Sequence, residues 1–165
     1  MAFQLDVLAT LSVLDRLIDT DPKNNAEASP TRSESVRRLR AAVRRDIEWL
    51  LNSRSIAVPP DAALIELNKS AYVFGLPDIS SIQLSSHIEQ NKLLASIERA
   101  IEIFEPRMKD VRVIPMLDAS AKSIQRLDFR IEGLLLMDPA PEQVSFDTSL
   151  DGVNQTYRVK AEGRI

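Results

Sequence analysis

The spacing of apolar residues changes character along the chain: up to Phe104 they recur every three or four positions, and from Val111 onward they alternate with polar ones. The first pattern is that of helices buried along one stripe, the second that of half-buried strands. Phe3, Val7, Leu11, Leu14 and Ile18 are separated by four, four, three and four residues and predict a helix from Gln4 to Ile18. The stretch 19–30, DTDPKNNAEASP, has no apolar period with which to join a core and predicts a polar linker. Its acidic start does not make a calcium loop: the sixth and twelfth positions, which require glycine and glutamate, are Asn24 and Pro30. A second helix is predicted after Thr31, with Glu34 as capping-box partner, an apolar row of Val36, Leu39, Val43, Ile47 and Leu50, and an end at Asn52. Arg38, Arg45 and Trp49 fall on the side opposite that row.

Beyond it, IAVPP reads as a short extended piece stopped by prolines, Asp61 to Asn68 as a brief helix, and SAYVFGLPD as a connection turned by Gly75 and Pro77. A third long helix is expected from Ser86, with Glu89 as capping partner, to Phe104, burying Leu94, Ile97, Ile101 and Phe104. Pro106 disfavours helical geometry at the residue before it and ends the run. Val111, Val113 and Leu117 begin the strand region, and DASAKS makes a hairpin connection. Leu127, Phe129 and Ile131 then alternate with Arg126, Asp128, Arg130 and Glu132. VSFDTSL and, more weakly, TYRVK supply two further strands. The expected class is α+β, with three main helices packed on a small, mostly antiparallel C-terminal sheet. The expected organisation is an interaction helix over 1–18, a linker over 19–30 and one domain over 31–165.

Composition narrows the chemistry. At 165 residues and 44% apolar, residues suffice for one domain with its own core, and the absence of cysteine excludes disulfides and thiolate zinc sites. A net charge of -3 lacks the basic excess of a non-specific nucleic-acid binder. Asp6 interrupts the first apolar stretch and no basic residue precedes Arg16, so a secretory signal is not expected, and no run approaches the roughly 18 apolar residues of a membrane span. A soluble, cytoplasmic chain is the expectation. Glycines at 75, 133, 152 and 163 spell no phosphate loop, and neither cofactor nor metal is expected.

Three clusters remain. Arginines 37, 38, 40, 44 and 45 form either a solvated helix face or, with Trp49 four residues after Arg45, an anion-facing interface. Glu98, Glu102 and Glu105 rise along one flank of the third helix, but helical spacing supplies no substrate cleft, and only eight aromatic residues are available to stack sugars. His87, in the opening turn of that helix, reads as solvated or capping. Glu105 continues the buried row of Ile97 and Ile101, where an ion costs several kcal/mol unless paired. Arg107 and Arg130 are the candidate partners. The pair either clamps the helix-to-strand turn internally or exchanges partners with another chain.

Five segments in order, Ser12-Val-Leu-Asp-Arg-Leu17, Arg45-Asp-Ile-Glu-Trp-Leu-Leu-Asn-Ser-Arg54, Phe74-Gly-Leu-Pro-Asp78, Phe104-Glu-Pro-Arg107 with Val111 and Val113, and Phe146-Asp-Thr-Ser-Leu-Asp151, resemble the TssE family. That family comprises baseplate subunits of the type VI secretion system, related to the small wedge protein of contractile phage tails. The family's Glu-Pro-Arg signature maps onto Glu105, Pro106 and Arg107, whereas Phe74 stands directly before Gly75 where the pattern has tyrosine. The resemblance implies the wedge-protein fold and a non-enzymatic assembly role in a large hetero-oligomer, with baseplate subunits TssF and TssG and sheath subunits TssB and TssC as partners. It implies no nucleic-acid ligand and no direct membrane insertion. The alternative is a lysozyme-like peptidoglycan hydrolase using the helix carboxylates. Under the assembly reading, Val7, Leu11, Leu14 and Ile18 bury against another subunit, Arg38, Arg45 and Trp49 line an interface, and Glu105, Pro106 and Arg107 set docking register. The edges of the small sheet then either receive strands from a sheath arm or are covered by the fourth strand.

Overall fold

The computed structural model describes residues 12–18, 31–80, 82–116, 126–138 and 140–160. Helix α1 (Val13–Leu17) begins at Ser12, whose hydroxyl accepts from the amide of Asp15 at 3.2 Å. The predicted positions before Ser12 and the linker 19–30 lie outside the described residues.

Helix α2 (Arg32–Asn52) starts at the predicted cap: the Thr31 hydroxyl accepts from the Glu34 amide at 3.3 Å. Glu34 does not reach back; its carboxylate takes the Arg38 guanidinium at 2.8 Å instead. Leu39, Val43, Ile47, Leu50 and Leu51 are buried along α2, and Leu93, Leu94, Ile97 and Ile101 along helix α3 (His87–Phe104). Each such side chain contributes about 1.5–3 kcal/mol by leaving water. The expected capping box at Ser86 is not formed, since Ser86 makes no side-chain cap bond and Glu89 pairs with Lys92 at 3.0 Å. Gln90 fixes that entry, donating its carboxamide to the Leu84 carbonyl at 2.6 Å.

Between the long helices the sequence misleads. The predicted helix over 61–68 is a set of turns: the Asp61 carboxylate accepts from the Ala63 amide at 2.9 Å, and 3-10 turns follow at Leu67–Lys69 and Ala71–Val73. Leu64, Ile65 and Leu67 are exposed, so no buried stripe supports an isolated helix of this length. The extended piece expected at IAVPP lies just upstream, where Ser53 and Ser55 bracket Leu76 with two backbone bonds of 2.9 Å. Gly75 permits that clip with φ +112°, and a Cβ there would stand 2.5 Å from the Ser53 carbonyl oxygen.

Four antiparallel strands follow in the spatial order β1 (Met108–Pro115), β2 (Arg126–Leu135), β3 (Glu142–Asp151) and β4 (Thr156–Val159). The alternation read from sequence holds: Leu127, Phe129 and Ile131 are buried against α2 and α3, and the charged residues between them face away. Strand β1 bulges at Asp110, which has φ 50°, and Gly133 on β2 lets it pass close, since a Cβ there would lie 2.8 Å from the Met108 methyl. Leu117 and the DASAKS connection lie outside the described residues. The architecture is α+β, as expected.

Gly75→Ala forces both a left-handed backbone and a carbonyl collision, and we expect a loss of at least about 2 kcal/mol in urea denaturation, read as a lower midpoint at unchanged m.

Candidate functional site

The row Ile97, Ile101, Glu105 leaves the carboxylate of Glu105 at the packed end of α3, where the residue is only 4% exposed. The chain then turns through Pro106, and the Met108 amide closes the turn on the Glu105 carbonyl at 3.0 Å. Proline at the second position of such a turn is pre-set in φ. The turn carries Arg107 back over its own neighbour: Nε reaches Oε1 of Glu105 at 2.6 Å, Nη2 reaches Oε2 at 2.5 Å, and the Arg107 amide adds a bond to Oε1 at 3.3 Å. The pair is therefore internal, as one of the two readings of the sequence has it. Arg130, the other candidate, pairs instead with Asp147 at 2.7 Å.

The clamp does not stop there. Nη2 of Arg107 also donates to Oδ2 of Asp46 on α2 at 2.6 Å, and Oδ1 of Asp46 accepts from Nε and Nη2 of Arg45 at 3.0 and 2.8 Å. Nη1 of Arg45 reaches Asp15 of α1 at 2.6 Å, and the other oxygen of Asp15 accepts from the Ser12 hydroxyl at 2.6 Å. Glu105, Arg107, Asp46, Arg45 and Asp15 thus alternate in sign and join the end of α3 to α2 and to α1. Each charge has at least one opposite partner, which offsets the desolvation penalty of the buried end. The hydrogen bonds it donates to Glu105 hold the Arg107 guanidinium above its usual range, so it remains a cation. The Arg45 guanidinium holds the Asp15 carboxyl below the ordinary carboxylate value, while Asp15 and then Asp46 raise Arg45.

Arg45 also covers the ring of Trp49, 5.3 Å from guanidinium carbon to centroid, although Trp49 is 57% exposed. Beside it a mostly apolar pocket of about 400 Å³ opens between Trp49, Leu50, Phe74, Phe104 and Pro106, with the clamp at its base. Phe74 and Phe104 meet edge to face at 5.2 Å, so the Gly75 clip delivers one wall of the pocket.

Glu105, Pro106, Arg107, Arg45 and Trp49 are therefore brought together as one corner. Arg38 is not part of it: it lies seven residues before Arg45 in an exposed pair with Glu34. Helix α1 turns Asp15 toward the domain and leaves Leu14 and Ile18 50% and 53% exposed, so the described end of the predicted apolar stripe faces outward. Val7 and Leu11 lie outside the described residues. The three carboxylates weighed for acid chemistry do not converge: Glu98 accepts from the Val113 amide at 3.0 Å, Glu102 is exposed, and both oxygens of Glu105 are taken by Arg107. Asp46 and Asp15 were missed by sequence reasoning. Asp46 does stand three residues after Val43 and four before Leu50, a carboxylate at the margin of a buried row, but its partner is 61 residues away.

Residues 37–140 match the family described as baseplate wedge protein gp25. The matched span holds most of α2, all of α3, the Glu105-Pro106-Arg107 turn and the first two strands. No curated protein matches the chain.

Because Asp15 has a lower pKa folded than unfolded, its contact with Arg45 stabilises fully above the unfolded value of about 4 and is lost as pH falls through the lower folded value. The single tryptophan, Trp49, reports on Arg45, so acid titration is expected to show a fluorescence change below about pH 4 that Asp15→Asn abolishes.

Proposed function

The chain belongs to the baseplate wedge protein gp25 family, and from that premise we propose that it is the wedge subunit of a type VI secretion baseplate that supplies the platform on which the contractile sheath starts to polymerise. Its role is structural, in a baseplate built with other components. The finer reading assigns TssF and TssG to the corner formed by α1, Trp49 and the pocket, and TssB and TssC to the sheet. It places the work in the cytoplasm; no helix among the described residues is long and apolar enough to cross a membrane.

One observation carries this reading. The charge ladder from Glu105 to Asp15 fixes α1 by its polar side and so presents Leu14, Ile18 and Trp49 outward, next to an apolar pocket. Solvent-exposed apolar and aromatic groups held on a rigid base are what a partner helix requires for helix-in-groove docking. The hydrolase alternative needs a carboxylic acid free to donate a proton across a cleft, whereas Glu105 is engaged twice by a guanidinium. We read the chain as non-enzymatic.

Co-purification of TssF and TssG with tagged variants tests the assignment. Leu14→Glu combined with Trp49→Ala is expected to leave the chain folded, at a cost of about 1 kcal/mol for the lost Arg45–Trp49 contact, and to lose both partners. Arg38→Ala, in the solvated pair, is expected to retain them. Full retention by the double variant would overturn the corner as the docking surface.

A further inference from the structure

The corner accounts for only part of the arginine run on α2. Arg38 pairs with Glu34, Arg40 with Glu142 of β3 at 2.5 Å, and Arg45 with Asp15 and Asp46. Arg44 donates to Glu48 at 3.4 Å and to the Val159 carbonyl at 2.9 Å. Arg37 is exposed and has no carboxylate partner among the described residues, and Arg32, five residues earlier and half-buried, has none either.

Both cations line a groove of about 540 Å³ between the start of α2 and the connection from β2 to β3. Its apolar lining comes from Val36, Met137, Ala140 and Pro141, and its charged lining from Arg32, Arg37, Arg40 and Glu142. At 100° per residue, Arg32 and Arg37 fall on either side of Val36 and Arg40, so a guanidinium flanks the apolar strip on each side. The Arg40–Glu142 pair ties helix to strand, which leaves Arg32 and Arg37 as the charges open to a ligand. Asp138 follows Met137 but is not among the lining residues. The groove is thus a positive site on a chain whose net charge is -3. An apolar strip between the cations separates it from an ordinary solvated helix face.

We propose that this groove docks an acidic segment of a partner protein, with one apolar residue seated between two carboxylates. The carboxylates match the forked donors of Arg32 and Arg37, and the apolar residue covers Val36 and Met137. In an extended segment, alternate side chains share a face, so the acids stand two positions to either side of the apolar residue. A nucleic acid would leave the apolar strip wet, and its phosphates need a longer basic track than two open guanidiniums. A second copy of the chain seated groove to groove would set arginine against arginine. Arg32 lies 17 residues before Trp49, roughly 25 Å along α2. This surface is therefore separate from the corner, and the proposal holds whether or not that corner takes TssF and TssG.

Titration of the full chain with end-blocked pentapeptides, followed by NMR amide shifts, tests this. Glu-Ser-Leu-Ser-Glu is expected to shift Val36 and Met137 saturably, and Lys-Ser-Leu-Ser-Lys to leave them in place. Glu-Ser-Ser-Ser-Glu is expected to bind at least about fivefold more weakly, having lost the leucine. These comparisons leave the protein unchanged. Arg32→Glu combined with Arg37→Glu is expected to weaken the first peptide at least about tenfold, and Arg99→Glu, at an exposed cation of α3, to keep it within about twofold. Equal binding of the two glutamate peptides, no binding of either, or full binding by the Arg32 and Arg37 variant would overturn the proposal. Tighter binding of a single-stranded oligonucleotide or of phosphatidylglycerol vesicles at the same amides would overturn the choice of partner. Peptide binding that emerges only after Asp19→Asn, Asp21→Asn and Glu27→Gln would assign the groove to the chain's own 19–30 segment and overturn it too.

Discussion

Burial of the Glu105 carboxylate constrains everything around it. The residue ends the row that Ile97 and Ile101 begin, so α3 cannot pack without carrying a charge into the core margin. Such a charge is tolerated only with a cation and further hydrogen bonds. The turn at Pro106 brings Arg107 to within 2.6 Å, and the same guanidinium, already neutralising Glu105, also binds Asp46. The chain of ion pairs thus extends outward, from α3 to α2 and, through Arg45, to Asp15 of α1. Three helical segments are oriented by one sequence of alternating charges rather than by apolar contact alone.

That mode of attachment has a functional consequence. The described residues of α1, tied to the domain through Asp15, leave Val13, Leu14, Leu17 and Ile18 half or more exposed, whereas in ordinary packing the apolar stripe would be hidden. The corner combines rigidity at its base with unsatisfied apolar area at its rim, the combination found where few residues dominate binding. The sheet complements this with restraint: side chains from both helices bond the outward amide and carbonyl of Tyr157, the Val159 carbonyl and the Val113 amide, so these groups are not left bare at its edges. A baseplate subunit, which assembles with other components, gains from such selective exposure.

Much of the framework was legible from periodicity. Helices α2 and α3 and the central strands follow from stripes and alternations long enough to outweigh local propensity. Glu105 was identified by its place on a wheel, and Arg107 by adjacency. What escaped lies in tertiary geometry. Asp46 and Asp15 are unremarkable carboxylates until folding brings them to guanidiniums, 61 residues off for Asp46 and 30 for Asp15. The helix expected over 61–68 had helical residues but no core to bury in, and the capping pattern at Ser86 is not formed, Glu89 pairing with Lys92 instead. Glu98 illustrates the same limit: its spacing on the helix was read only against acid chemistry, for which it offered no cleft, and its actual partner is a strand amide.

The most direct test of the charge ladder as the organising element is a double-mutant cycle between Glu105 and Arg107, with Glu105→Ala, Arg107→Ala and the pair measured by urea denaturation. A buried, doubly hydrogen-bonded clamp predicts that each single change costs about 3 kcal/mol and that the double variant costs little more, a coupling of at least about 2 kcal/mol. Single effects that simply add, with a coupling within about 0.3 kcal/mol of zero, would contradict it.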